Sequence, residues 1–503
     1  MNANPETLSR IWSHESASAL PEPVPVALAE GDGIGPEITQ AVCRILSAAG
    51  ARVRFVPVTV GERSYLDGVS SGISAEAWDP IREHRILLKG PITTPQGGGY
   101  KSVNVTLRKA LGLFANVRPC RAWHPWVATR HPDMDLVIVR ENEEDTYAGI
   151  EHRQTAEVTQ CLKLISRPGT ERVIRYAFEL ARAQGRRTVH CFSKDNIMKL
   201  TDGLFHRAFD RIAAEYPEIQ ARHLIVDIGT ALLADRPEQF DVIVAPNLYG
   251  DIISDVAAQI SGSVGLGGSA NIGQGFAMFE AVHGSAPDIA GRDIANPSGL
   301  LLAAVDMLRY IGDEGAANRI HGAWRRTLAE GLHTADIYRA GHSREKLGTT
   351  AFAAAIIDRL AHASATESTA GALSWPQGFD AWPAPQARPH KALIGVDVFL
   401  DYDEHGRDPN VLGERVRQLA AGTDLRLSVI TNRGVKVFPD GLPETGCTDH
   451  WRCRFRSAGD QPIGHRQVID LLERFAVAGL DFIKTEHLYS FDGQPGFSVA
   501  QGE

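Results

Sequence analysis

Hydrophobic residues along this chain fall into short runs, each ending in a polar tip and followed by a stretch with helical spacing. "VPVALAEGDGIGPEITQAVCRILSAAG" reads as a strand, a glycine loop and a helix that opens at Pro36 and closes at Gly50. "VRFVPV" and "RILLKGPI" predict further strands, and "DLVIVREN", "TVHCFSKDN", "HLIVDIG" and "FDVIVAPN" repeat one design. "ERVIRYAFELARAQG" and "SGLLLAAVDMLRYIG" carry the helical period between them. The alternation predicts an α/β chain, whose ligands gather at strand ends. Those ends hold Arg140, Lys194, Asp227 and Asn247.

The pattern changes near residue 363. Residues 363–390 are rich in Ala, Ser, Pro and Gly and read as a linker. Beyond it, residues 391–503 alternate strand and helix in an order that fits a small α+β domain of ferredoxin-like character. No catalytic constellation is visible there. An interaction or effector module and a purely structural lid are both open readings.

Composition narrows the class. The chain has 503 residues and a formal charge of −9, with 43% hydrophobic and 22% charged residues. That suits a soluble protein of more than one domain and argues against nucleic acid as a partner. The first sixteen residues lack an apolar core, and no apolar run is long enough to cross a bilayer, so a cytoplasmic enzyme without membrane partners is expected. Six cysteines without a C-x-x-C pair suggest reduced thiols.

Neither standard phosphate cradle is present. "GDGIGPE" is not G-x-G-x-x-G, and "GGGYKS" lacks the P-loop spacing. The first is as readily a tight strand-to-helix turn as a ligand loop. "NLYGDIISDVAAQ" places Asp251 and Asp255 on one helix face without a basic neighbour. A solvated acidic face is one reading. The other is a hard divalent ion, which prefers carboxylates, water and substrate oxygens, with Asp227 as a third ligand. Arg108, Arg118 and Arg140 could each be ordinary surface arginines, but Arg118 and Arg140 follow apolar runs, where a lone buried charge is costly, and several guanidiniums at one pocket can hold carboxylates. Ser102 and Asn104 add neutral hydrogen bonds. Tyr147 and Lys194 are candidates for proton transfer by their company.

These residues resemble a known family. Residues 25–362 resemble the metal-dependent, decarboxylating 3-hydroxyacid dehydrogenases, which include isocitrate and isopropylmalate dehydrogenases. "GDGIGPE", "KGPITTP", "ENEEDTYAGIE", "NLYGDIISD", "SANIG" and "HGSAPDIAGRDIANP" carry the resemblance. The tail resembles the extra C-terminal domain of a bacterial subgroup of isocitrate dehydrogenases. The resemblance implies the isocitrate/isopropylmalate dehydrogenase-like fold rather than a Rossmann fold. It implies a cofactor-binding domain of residues 1–113 and 262–362, and a small domain of residues 114–261 with a dimer clasp at about 145–167. The clasp is short and expected to be a simple β arrangement. A homodimer with shared active sites follows, Lys194 and Asp227 reaching over from the second copy.

The resemblance also assigns roles. Thr94, Ser102, Asn104, Arg108, Arg118 and Arg140 would bind the acid, and a polar Ser102 and Asn104 suit isocitrate where isopropylmalate enzymes carry leucines. Tyr147, Lys194 and Asp227 would move protons, and Asp227, Asp251 and Asp255 would hold Mg²⁺ or Mn²⁺. His283, Gly284, Ser285, Ala286, Pro287, Asp288, Ile289, Asn296 and Asp336 would surround the nucleotide. NADP-dependent members carry lysine and tyrosine where this chain has Asp288 and Ile289, and tend to carry a tyrosine where it has Ala335. A carboxylate at Asp288 would accept from the ribose 2′-hydroxyl and repel a 2′-phosphate, so NAD is expected. Arg292 points the other way. The implied reaction is oxidation of isocitrate to 2-oxoglutarate and CO₂. A homoisocitrate or isopropylmalate dehydrogenase, and a metal-dependent hydrolase or phosphotransferase using Asp251 and Asp255, are the competing readings.

Overall fold

A computed structural model describes residues 22–94, 102–363, 375–376, 382–383 and 385–499. The chain divides into two compact units, Met1–Asp135 with Asp255–Trp375, and Leu136–Ser254 with Pro376–Glu503. "GGGYKS" before Ser102, and most of the 363–390 stretch, lie outside the described residues.

In the first unit the strands run Val53–Pro57, Val24–Ala29, Ile86–Lys89, Ala277–Ala281, Gly268–Ile272 and Ala115–Arg121, in that order across the sheet. Val24–Ala29 is parallel to both neighbours, and Gly268–Ile272 runs antiparallel to both of its own. The inner strands are apolar on both faces because helices cover them. Helix Gly35–Ala48 begins with Pro36 in its first turn and is followed by Gly50 at φ +64°.

The glycines of "GDGIGPE" make the turn and admit close backbone packing. Gly31 and Gly33 have positive φ, and a Cβ on them would meet Pro91 O at 2.2 Å and Ser285 O at 2.1 Å. The loop thereby holds two neighbouring loops, with Asp32 N donating to Pro91 O and Ile34 N to Ser285 O, each at 2.8 Å.

In the second unit four parallel strands follow the order Asp135–Glu141, Val242–Ala245, Thr188–Ser193, Gln220–Ile225. Helix Arg167–Ala183 starts four residues earlier than its apolar period suggests, because Ser166 caps Gly169 N and Pro168 stands in the first turn. Glu151–Arg153 and Thr159–Cys161 form a two-stranded antiparallel hairpin within the expected clasp segment.

The tail carries a six-stranded antiparallel sheet in the order Val435–Phe438, Leu425–Asn432, His450–Ser457, Lys391–Asp401, Asp481–Phe491, Gln494–Pro495. Without the outer pair this is the ferredoxin-like order, with helices Pro409–Ala420 and His465–Val477 in the two crossovers. Its core includes Val396, Val398, Trp451, Phe455, Leu471 and Phe475. The tail holds the hairpin through polar contacts. Thr155 Oγ1 donates to Asp449 Oδ1 at 2.5 Å, Arg407 reaches both Glu157 oxygens at 2.8 and 2.9 Å, and Lys484 Nζ donates to Gln160 Oε1 at 3.3 Å.

Candidate active site

The first unit contains a cavity of about 550 Å³, within the range of small-molecule sites. Thr94, Asn104, Arg108, Arg118, Glu280 and His283 are among its lining residues. Helix Val103–Ala110 supplies Asn104 and Arg108 one turn apart, and strand Ala115–Arg121 supplies Arg118. Ser102 precedes that helix and accepts from Thr94 Oγ1 at 3.2 Å.

Burying two guanidiniums requires compensation. Glu280 provides it: its carboxylate lies 2.7 Å from Lys89 Nζ and 3.0 Å from Arg108 Nη2. Asn271 Nδ2 also donates to Glu280 Oε1 at 2.7 Å. Asn116 Nδ2 donates to Asn271 Oδ1 at 2.9 Å, and Arg118 Nε to Asn116 Oδ1 at 2.6 Å. One buried chain of hydrogen bonds thus joins Arg108 to Arg118. Burial alone would push Glu280 up, but the charges of Lys89 and Arg108 hold its carboxyl far below the usual range. The sequence reading missed Lys89, Glu280, Asn116 and Asn271. Their signal was present as charges inside the apolar strands "ILLK" and "AMFEA".

Asn104 Oδ1, Arg108 Nε and His283 Nε2 are buried without a hydrogen-bond partner among the described residues. Such orphaned groups at a cavity wall fit a polar ligand. His283 is held below its ordinary pKa by burial, so its ring is neutral at pH 7.

A second cavity of about 490 Å³ adjoins His283 and Gly284. Ala286, Ile289, Asn296, Ala335 and Asp336 line it, together with Ile34 and Ser263, which the sequence reading did not single out. Asp336 accepts from Ser263 Oγ and Thr334 Oγ1, each at 2.6 Å, and from Asn296 Nδ2 at 3.0 Å. Ser285 and Pro287 face the first cavity, and Ser285 Oγ lies 2.8 Å from Thr93 Oγ1. Asp288 stands exposed on the short turn Pro287–Ile289.

The second unit carries Arg140, Tyr147, Lys194, Asp227 and Asp251, while Asp255 belongs to the first. Arg140, 1% exposed, donates from Nε and Nη2 to Asn247 Oδ1 at 3.0 and 2.8 Å, and from Nη1 to Asp251. Tyr147 OH donates to Asp251 Oδ2 at 2.6 Å, and the Arg140 guanidinium lies 4.8 Å from the Tyr147 ring centre. Gly250 permits this: a Cβ there would meet Arg140 Cγ at 2.6 Å. Asp251 and Asp255 both lie on helix Asn247–Ile260, one turn apart as the spacing predicts. Asp255 pairs with Arg118 at 3.5 Å.

Lys194 Nζ lies 3.0 Å from Asp227 Oδ1, and that hydrogen bond holds the Asp227 carboxyl below its ordinary range. Asp227 does not end a strand as "HLIVD" suggests. The strand stops at Ile225, and Asp227 sits in the first turn of helix Val226–Asp235, where the helix dipole favours an acid.

Residues 25–356 match the model of the isocitrate/isopropylmalate dehydrogenase family, and residues 391–503 match the bacterial isocitrate dehydrogenase C-terminal domain. The chain is 50% identical to an isocitrate dehydrogenase [NADP] of Rickettsia bellii over 486 residues, 96% of this chain and 100% of the relative. It is 45% identical to an isocitrate dehydrogenase [NADP] of Thermus thermophilus over 483 residues, 95% of this chain and 96% of the relative. The crystal structure of the TT0538 protein from Thermus thermophilus superposes with a TM-score of 0.89 at 44% identity, over 95% of this chain and 96% of that one.

The names of these full-length relatives overturn the expectation of NAD. The charge of Asp288 does not decide the cofactor. Its carboxylate is exposed, so water and salt screen its repulsion of a phosphate. A compensating cation stands on the same turn, with Arg292 Nη1 donating to the Asp288 carbonyl at 3.4 Å. The fold, the two cavities and both matched segments place the chain in the isocitrate/isopropylmalate dehydrogenase family, with the bacterial C-terminal domain appended.

Proposed function

We propose that the protein is an NADP-dependent isocitrate dehydrogenase of the cytoplasm, producing 2-oxoglutarate and CO₂. The observation that carries this is the first cavity. Two buried guanidiniums face it, with the unpartnered Asn104 Oδ1 and Arg108 Nε beside them. A tricarboxylate answers that chemistry, whereas an isopropyl group would leave Asn104 desolvated without a partner.

Arg108, Arg118 and Arg140 bind carboxylates in this reading, while Thr94, Ser102 and Asn104 orient the third arm. Asp251 and Asp255, with Asp227 from a second copy, would hold Mg²⁺ or Mn²⁺; an all-carboxylate set fits a hard cation. Such an ion would supply Lewis-acid polarisation of the C2 oxygen, and the nicotinamide would take the hydride. Lys194 or Asp227 removes the hydroxyl proton, and Tyr147 returns a proton to the carbon that loses CO₂. The residues around the second cavity hold the adenosine, and Arg292 offers a cation to the 2′-phosphate. Residues 1–113 and 262–362 form the cofactor domain, 114–261 the small domain, and 363–390 the linker.

A homodimer is supported by apolar side chains left open on the second unit. Ile150 and Leu164 flank the hairpin, and Ile228 and Ile252 stand on the two helices that carry Asp227 and Asp251. No helix among the described residues is long and apolar enough to cross a membrane. Initial rates on isocitrate, homoisocitrate and 3-isopropylmalate, each with NADP or NAD and with or without Mg²⁺, test the reading. Fastest turnover of isocitrate with NADP and Mg²⁺ is expected. Preference for another acid, or metal-dependent hydrolysis without nicotinamide, overturns it.

A further inference from the structure

Among the described residues, one group of three metal-ligating side chains converges: Asp195, His206 and His223. Asp195 follows strand Thr188–Ser193, His206 stands on helix Thr201–Ala213, and His223 on strand Gln220–Ile225. One ligand atom from each lies within 4.8 Å of the others. Asp195 Oδ2 is 2.6 Å from His206 Nδ1, and Asp195 Oδ1 is 3.8 Å from His223 Nε2. Ser193 Oγ lies 2.8 Å from His223 Nε2, and Asp210 Oδ2 lies 3.5 Å from His206 Nε2. The proposed reaction uses none of these groups.

We infer that this cluster binds one borderline transition cation, of the zinc or cobalt class, separate in chemistry from the carboxylates of helix Asn247–Ile260. Two imidazoles and a carboxylate favour such ions, whereas Mg²⁺ prefers oxygen alone. Water supplies the fourth position. The imidazole rings now stack, with centres 3.5 Å apart and planes 17° from parallel. Parallel rings cannot both aim a lone pair at one ion, so binding turns one of them about its Cβ–Cγ bond. The three side chains are 14–26% exposed, which leaves room for that turn and a path for the ion.

An ion here would clip together two strand ends. Asp195 is bonded to Lys194, and the strand bearing His223 leads directly to Asp227. The effect of occupancy is therefore a stiffer, more stable second unit.

The test uses the full chain in excess Mg²⁺, titrated with Co²⁺ and read by visible absorption and thermal melting. One equivalent with the intense bands of a four-coordinate ion, and a raised Tm, are expected. His206→Ala and His223→Ala should each weaken that binding by more than about 100-fold, since even loss of an outer-shell partner costs 10–100-fold. Asp251→Asn should leave it intact. If His206→Ala misfolds, His206→Gln keeps a polar side chain near Asp195 and removes the imidazole. No intense band in the unmodified protein, or a band that survives both histidine variants, overturns the proposal.

Discussion

Replacing Glu280 by Gln tests the buried framework behind the candidate substrate pocket. Lys89 is fully buried, with Glu280 Oε2 at 2.7 Å and the Gly90 carbonyl at 2.9 Å. A glutamine oxygen can still accept from Arg108 and Asn271, but its NH₂ then faces the ammonium, donor against donor. Breaking a buried pair by removing one partner costs about 3–5 kcal/mol. At about 2–4 °C per kcal/mol for a unit of this size, the melting transition of the first unit should fall by roughly 6–20 °C. Calorimetry of Glu280→Gln, Lys89→Met and the double variant separates the pair from its surroundings. The double variant removes both charges, so its loss should be about 2–3 kcal/mol smaller than the sum of the singles. With isocitrate, Glu280→Gln should also raise KM, because Arg108 keeps a hydrogen-bond acceptor but loses the opposite charge that holds it. A loss below about 1 kcal/mol in Glu280→Gln, or simple additivity in the cycle, refutes the reasoning.

Three other perturbations probe separate parts of the account. Tyr147→Phe removes the hydroxyl bonded to Asp251 and should lower kcat by about 10²–10⁴-fold in steady-state assays with isocitrate; unchanged turnover removes its assigned role. Asn104→Leu should lower kcat/KM for isocitrate and raise it for 3-isopropylmalate, measured side by side, by making the pocket wall apolar. Glu141 is pushed up to about 7, first by burial and then by the neighbouring Glu144 and Glu143, against hydrogen bonds from backbone amides. The native state thus holds this proton more tightly than the unfolded chain. Stability from it is full below pH 4.5 and is lost as pH rises to about 7, by up to about 3 kcal/mol. Glu141→Gln should therefore stabilise the protein at pH 8 but not at pH 4.5 in denaturant titrations.

Much of this was legible in the chain. Short apolar runs with polar tips located the strands, the helical period located helices between them, and Asp251 and Asp255 share a helix face because four residues make about one turn. The ferredoxin-like order of the tail followed from its sequence of elements. What lay hidden depends on contacts between distant segments. Nothing local to Lys89 says that Glu280, far along the chain, will neutralise it, nor that Asp251 will accept from both Arg140 and Tyr147. Asp227 was misplaced because the apolar run of strand Gln220–Ile225 continues without a break into the following helix. The cofactor inference failed for a related reason. The Asp288 charge was set above Arg292, although exposure decides how far a carboxylate repels, and Asp288 is exposed. The Asp195, His206 and His223 cluster was invisible because its members come from a loop, a helix and a strand with no shared motif.

The most direct check of the central claim is a crystal structure of the protein soaked with isocitrate and Mg²⁺. The account predicts an ion bound by Asp251 and Asp255, with the substrate's carboxylates on Arg108, Arg118 and Arg140. Isocitrate bound away from those arginines, or bound to them with no ion at Asp251, would contradict it.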